Sequence, residues 1–141
     1  MELERKTQAN TIERLQAIRE ALLRLHRVLI SHQRDLWERT NRRIESSYEL
    51  LNLVMHDGDF AWLHYLSELV VQIDELLAVD TEPLEDEALG LLEQARFLMI
   101  PAASGDSFQR NYFQALQNSP NVILAHSDVV KLLGNRAPEI H

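Results

Sequence analysis

The first 56 residues contain neither glycine nor proline, so nothing in the opening of the chain interrupts a helix, and the residues there are mostly ones that favour helix. The pattern predicts a first helix that begins between residues 7 and 11 and runs to about residue 45. Inside it Leu15, Leu22, Leu29 and Leu36 recur every seven residues, with Ile18 and Leu25 between them, as along the seam of a coiled coil. A second series, Leu23, Ile30, Trp37 and Ile44, follows one position on, about 100° around the helix. An apolar arc that broad does not suit a two-stranded coil. It belongs to a helix that touches two neighbours in a bundle.

The seam has polar breaks. His32 and Arg39 fall where Ile18 and Leu25 call for apolar residues, and Arg43 continues the Leu15 to Leu36 series. Either the helix end leaves the core and frays into solvent, or these side chains form a buried polar cluster with acidic partners, fixing helix register or lining a site.

Further along, the chain reads as a succession of shorter helices. Ser46 and Glu49 have capping-box spacing ahead of Leu50, Leu51, Val54 and Met55. The run His56-Asp57-Gly58-Asp59 reads as a turn, with Gly58 free to take a left-handed conformation and Asp57 or Asp59 able to cap the next helix. Residues 60–78 form the clearest amphipathic helix, with Leu63, Leu66, Val70, Ile73 and Leu77 on one face, widened by Trp62, Leu69 and Leu76, and His64, Glu68, Gln72 and Glu75 opposite. Thr81 and Pro83 mark the next start, with Glu85, Asp86 and Glu87 in a first turn that favours negative charge. Leu84, Ala88, Leu91, Ala95 and Leu98 make its stripe, which stops at Ile100-Pro101. Asp106 or Ser107 caps a helix carrying Phe108, Tyr112, Phe113 and Leu116. Ser119 and Pro120 open the last helix, which carries Val122, Ile123, Val129, Val130, Leu132 and Leu133 and which Gly134 closes. With no strand alternation and no repeat, the expectation is an all-α fold: a single-domain bundle of five or six helices over residues 1–134, a long first helix, and a disordered tail over 135–141.

One stretch carries a resemblance. Residues 50–77, LLNLVMHDGDFAWLHYLSELVVQIDELL, resemble an uncharacterised group of small all-helical bacterial proteins in which an acidic residue, usually followed by proline, precedes Phe-Ala-Trp-Leu and then a helix with Leu-Ser-Glu-Leu and Ile-Asp-Glu. The resemblance implies a helical fold and brings no site residues with it. At Gly58 this chain departs from the pattern, which places proline there.

Charge and composition narrow the function classes. The formal net charge is −8, but residues 1–44 hold ten basic and six acidic side chains, a net of +4, while the remaining four basic and sixteen acidic side chains give −12. One basic helix thus meets an acidic remainder, an arrangement that complements itself within a fold or across a dimer. The basic face, Arg24, Arg27 and Arg34, is interleaved with Glu20 and Asp35, which weighs against nucleic acid as a partner. Cysteine is absent, which removes thiolate nucleophiles and cysteine metal sites. The polar N-terminus does not read as a signal peptide, and no apolar run reaches the length of about 18 residues that a membrane span requires. The expected location is cytoplasmic, with no membrane partner.

Three constellations bear on chemistry. His64 and Glu68, one turn apart and just after His56, Asp57 and Asp59, have ligand types for a divalent metal, yet the pair sits opposite the apolar stripe and the Glu-x-x-His spacing of di-iron bundles is missing. No metal and no cofactor is implied. Ser67 and Asp74, seven apart at the border of the same stripe, are placed to meet Arg39 or Arg43 if the two helices are antiparallel neighbours. The sequence His126-Ser127-Asp128 offers the members of a serine triad, but neighbours on a helix point about 100° apart and cannot align as nucleophile, base and orienter. The reading that remains is a domain that works by association, with itself as a homo-oligomer or with a partner protein. A small-molecule or metal-binding bundle built on His32, Arg39, Arg43, Ser67 and Asp74 is the alternative, and nucleic-acid contact through the first helix is a weaker one.

Overall fold

The computed structural model describes residues 2–79 and 85–134, and every described element is helical. Six α-helices follow one another: α1 (Glu2–Thr40), α2 (Ser47–His56), α3 (His64–Leu77), α4 (Glu85–Leu98), α5 (Ser107–Asn118) and α6 (Pro120–Leu133), with a 3-10 helix, Gly58–Leu63, between α2 and α3. Among the described residues no helix is long and apolar enough to cross a membrane. The expected tail at 135–141 and the expected cap and first residue of the fourth helix, Thr81 and Pro83, lie outside the described residues.

α1 is the axis on which the others are laid, contacting α3, α4, α6 and the 3-10 helix. Arg19 near its middle pairs with Asp74 near the end of α3, and Gln33 further on bonds Trp62 just ahead of α3, so α1 and α3 run antiparallel. α6 is antiparallel to α1 as well: Arg14 reaches the carbonyls of Leu132 and Leu133, while the far half of α1 meets Ser119 and Pro120. The core collects Leu15, Ile18, Leu22, Leu25 and Leu29 of α1 with Leu63, Leu66 and Ile73, Leu92 and Ala95, Phe108 and Tyr112, and Val122 and Val129.

α1 departs from expectation at both ends. It starts at Glu2 and stops at Thr40 rather than near residue 45. At its end three donors share one carbonyl, with Asn41 N at 3.0 Å, Asn41 Nδ2 at 2.9 Å and Thr40 Oγ1 at 3.3 Å all donating to Trp37 O, and side-chain bonds of this kind compete with continuation of the helix. Ile44, read as a helical position, therefore sits in an extended link and is still buried. Its backbone is satisfied by the helix the chain has just left, with Ile44 N donating to Glu38 Oε2 at 2.7 Å and Arg34 Nη2 donating to Ile44 O at 3.1 Å. A buried link without such partners would strand two polar groups.

Ser46 caps α2 as the spacing implies, accepting from Glu49 N at 3.0 Å, but Glu49 returns its bond to Glu45 N rather than to the cap residue. Gly58 does not take a left-handed conformation; Gly134 is the one described residue with positive φ, at 77°. Asp57 ends α2 in an extended conformation (φ −85°, ψ 136°) and caps the 3-10 helix by accepting from Asp59 N at 2.8 Å. Gly58 is then the first residue of that 3-10 helix, with nothing within 4 Å of where a Cβ would stand. That position accepts proline, because its N–H is one of the orphans of a helix start and the residue before it is already extended. Gly58→Pro is expected to raise the unfolding free energy by about 0.4–1 kcal/mol by narrowing the unfolded ensemble. Urea titration checks this, and a loss of stability would place the Gly58 backbone outside the range proline allows.

Candidate functional site

The five polar residues singled out from the sequence do not meet at one place. His32 and Arg39 lie on a groove of about 380 Å³ where α1 faces the α5–α6 corner, together with Arg27, Asp35, Asn118 and Asn121. Burial holds the His32 imidazole below its usual pKa, with Asp35 opposing and Arg39 reinforcing that effect. Arg43 is exposed on the link before α2. Ser67 turns back on its own helix and donates to His64 O at 3.1 Å. Asp74 does find an arginine of α1, but it is Arg19 rather than Arg39 or Arg43. Both partners are half-exposed, and a pair of that kind contributes about 0–1 kcal/mol.

The candidate metal ligands have structural employment. Asp57 caps the 3-10 helix, and His64 donates from Nε2 to Val54 O at 2.9 Å, tying the start of α3 back to α2. His56, Asp59 and Glu68 are exposed. Among the described residues no three His, Asp or Glu side chains are grouped so as to hold a metal ion.

What the fold does assemble is a continuous polar and aromatic line through the interior, most of which sequence reasoning missed. Gln33 of α1, a buried amide, accepts from Trp62 Nε1 at 2.9 Å. Trp62 packs on Phe108 at 5.6 Å between ring centroids, Phe108 on Tyr112 at 5.4 Å, and Tyr112 on His126 at 5.5 Å. The line ends in a hydrogen bond of 2.6 Å between the Tyr112 hydroxyl and His126 Nδ1, with the sulfur of Met99 3.6 Å from the same hydroxyl. Tyr112 is fully buried, and that burial pushes its phenol far up from the ordinary value while burial holds His126 below its own. At neutral pH the phenol therefore donates and the neutral imidazole accepts. Four elements are tied together by this line, and of its inner members Phe108 also borders the groove between α3 and α4.

The far end of the bundle is held by two arginines. Arg14 of α1 and Arg96 of α4 both donate to Leu133 O, Arg96 at 2.9 Å, filling carbonyls that the end of α6 leaves without intrahelical partners. Gly134 is required there, since a Cβ on it would stand 3.1 Å from Arg14 Nη2 and its φ is left-handed.

Among the described residues, exposed apolar side chains are grouped on α2 and between α3 and α4. α2 has no buried residue: Leu50, Leu53 and Val54 lean on the core, while Tyr48, Leu51 and Met55 stand outward at 76%, 56% and 56% exposure. A groove between α3 and α4 exposes Tyr65 and Phe97 beside carboxylates. No family model, no curated protein and no solved structure matches the chain.

Proposed function

We propose that the protein is a single-domain helical bundle that works by association, and that its first partner is a second copy of itself, joined through α2. The observation that carries this reading is the outward face of α2. Tyr48, Leu51 and Met55 fall at the first, fourth and eighth places of one helical stripe, and a stripe of large apolar side chains on a helix that already leans its other side on the core marks a contact surface.

The sequence around α2 is complementary to itself under a two-fold axis. Leu51 lies midway between Arg43 and Asp59, eight residues from each. An antiparallel pairing of two α2 helices with Leu51 at the axis sets Tyr48 on Met55 of the second copy, a sulfur–aromatic contact, and brings Arg43 beside Asp59 of that copy. Both charged side chains are exposed, and neither makes a hydrogen bond or ion pair among the described residues. Self-complementarity of this kind is what an isologous interface needs.

Sedimentation equilibrium at tens of micromolar protein is expected to show a dimer that Leu51→Asp converts to monomer. Arg43→Asp is expected to weaken it by about tenfold, the scale of a close charge pair turned to repulsion, and Arg43→Asp with Asp59→Arg to restore it. A strictly monomeric wild-type protein, or a dimer indifferent to Leu51→Asp, sinks the reading.

A further inference from the structure

The second exposed apolar surface differs from the α2 face in shape and charge. It is a groove between α3 and α4, made of two stretches of about 450 and 540 Å³ that share Gln72 and Gln94. At one end the walls are Tyr65, Leu69, Phe97 and Phe108, with Phe97 59% exposed and the Tyr65 ring edge-on to Phe108 at 6.1 Å. Among the described residues, every charged side chain lining the two stretches is a carboxylate. Glu93 is paired with Arg96 and Asp106 caps α5, but Glu68, Glu75 and Glu87 make no hydrogen bond or ion pair among the described residues. Glu68 and Glu75 stand seven residues apart on α3, two turns along one edge of the groove.

We infer that this groove receives an amphipathic helix of a partner protein, one that sets two or three large apolar side chains against Tyr65, Leu69 and Phe97 and carries Lys or Arg on the flanks facing Glu68, Glu75 and Glu87. The length fits: α3 has 14 residues, about 21 Å of groove wall, enough for anchors one and two turns apart as in other helix-in-groove contacts. Charge selects the occupant. The outward face of α2 from a second copy is apolar, but the charges around it, Glu45, Glu49, Asp57 and Asp59 against Arg42 and Arg43, leave a net negative flank, which an acidic groove disfavours. The chain's own basic segment lies in α1, whose apolar face is spent in the core. A separate basic helix is the partner that satisfies both the floor and the rim.

The probe is a displayed library of helical peptides with varied anchor and flanking positions, selected on the full-length protein. Selected peptides are expected to carry Lys or Arg around Leu, Phe or Trp anchors and to bind more weakly as salt rises. They should lose about tenfold or more in affinity on Phe97→Ser, the cost of removing a central anchor contact. Glu68→Lys with Glu75→Lys should reverse the preference, so that a twin peptide with Glu in place of each Lys and Arg binds better than the parent. All three substitutions are at exposed or rim positions, and an unchanged thermal melt confirms that each variant is folded. Selection of nothing, of peptides without a basic bias, of sequences matching this chain's own helices, or of peptides indifferent to Phe97→Ser overturns the proposal. Because the groove variants lie outside α2, a dimer that survives them separates this outcome from failure of the α2 reading.

Discussion

Trp62→Ala is expected to lower the unfolding free energy by about 3–5 kcal/mol, the range for deleting a buried large aromatic, and thus to remove a large part of the 5–15 kcal/mol that holds a typical domain together. The indole is 4% exposed and belongs to the 3-10 helix that connects α2 to α3, so its loss opens a cavity where α1, the 3-10 helix and α5 meet. It also leaves the Gln33 carboxamide buried without its partner, a penalty of about 1–3 kcal/mol when no water reaches it. Two milder changes separate these contributions. Trp62→Phe keeps most of the apolar contact but strands Gln33 Oε1, and Gln33→Leu strands Trp62 Nε1–H, each at about 1–3 kcal/mol. The double variant, Trp62→Phe with Gln33→Leu, removes donor and acceptor together and is expected to cost no more than either alone. Denaturant unfolding of all four proteins closes the cycle. If Trp62→Ala costs under about 1 kcal/mol, the indole is not the inter-helix anchor that its burial implies.

Gln33 also shows why a heptad reading describes α1 well at its start and poorly towards its end. A straight α-helix has 3.6 residues per turn, so a seven-residue series drifts by about 20° per repeat. Leu15, Leu22 and Leu29 are buried, whereas the next core positions are Gln33 and Trp37 and the seam residue Leu36 is only half-buried. Eighteen residues make five turns, which puts Gln33 on the line of Leu15, and His32 about 100° to one side. The polar breaks at His32 and Arg39 therefore mark where the seven-residue series leaves the core, while the core itself continues one position on. A 3.6-residue count carries that information; a seven-residue count conceals it.

The helices, most of their caps and their buried faces were legible because each rests on local rules. Ser46, Asp106 and Ser119 all cap as their sequence positions imply, and Leu66, Leu69, Val70, Ile73 and Leu76 are buried as the α3 pattern requires. Contacts between distant segments were not legible, since nothing local distinguishes Arg19 from Arg39 as the partner of Asp74. The same holds for Arg14 and Arg96, whose target is the far end of another helix. In the sequence Tyr112 is one more apolar position on α5, and His126 stands beside Ser127 and Asp128 with nothing local to link it to Tyr112. Their pairing depends on the α5–α6 hairpin bringing residues 112 and 126 together across a shared face.

That pairing gives stability a dependence on pH. His26, His32 and His126 are each held below the ordinary histidine pKa of 6.5, in every case chiefly by burial; the nearby His64 adds to the effect on His26. A histidine whose folded pKa is depressed binds a proton less readily in the native state than in the unfolded one. Its stabilising contribution is complete above about pH 6.5 and is lost as the pH falls from there through the folded value. The expected result is a protein whose unfolding free energy is flat above neutrality and falls on going from about pH 7 to about pH 5. His126 adds a specific cost, because a proton on Nδ1 turns the acceptor of the Tyr112 hydroxyl into a second donor and leaves that hydroxyl only the Met99 sulfur, a weak acceptor. Tyr112 cannot compensate by ionising, since its burial opposes the phenolate. His126→Gln keeps a neutral acceptor on α6 and is expected to flatten the acid limb. Tyr112→Phe is expected to cost about 1–3 kcal/mol at neutral pH by stranding Nδ1, and to soften the acid limb because the imidazole no longer has a buried donor to lose. Urea unfolding at a series of pH values measures all three proteins. An acid limb in His126→Gln as steep as in the wild type would move the titration to His26 and His32 and leave the Tyr112–His126 bond without a role in it.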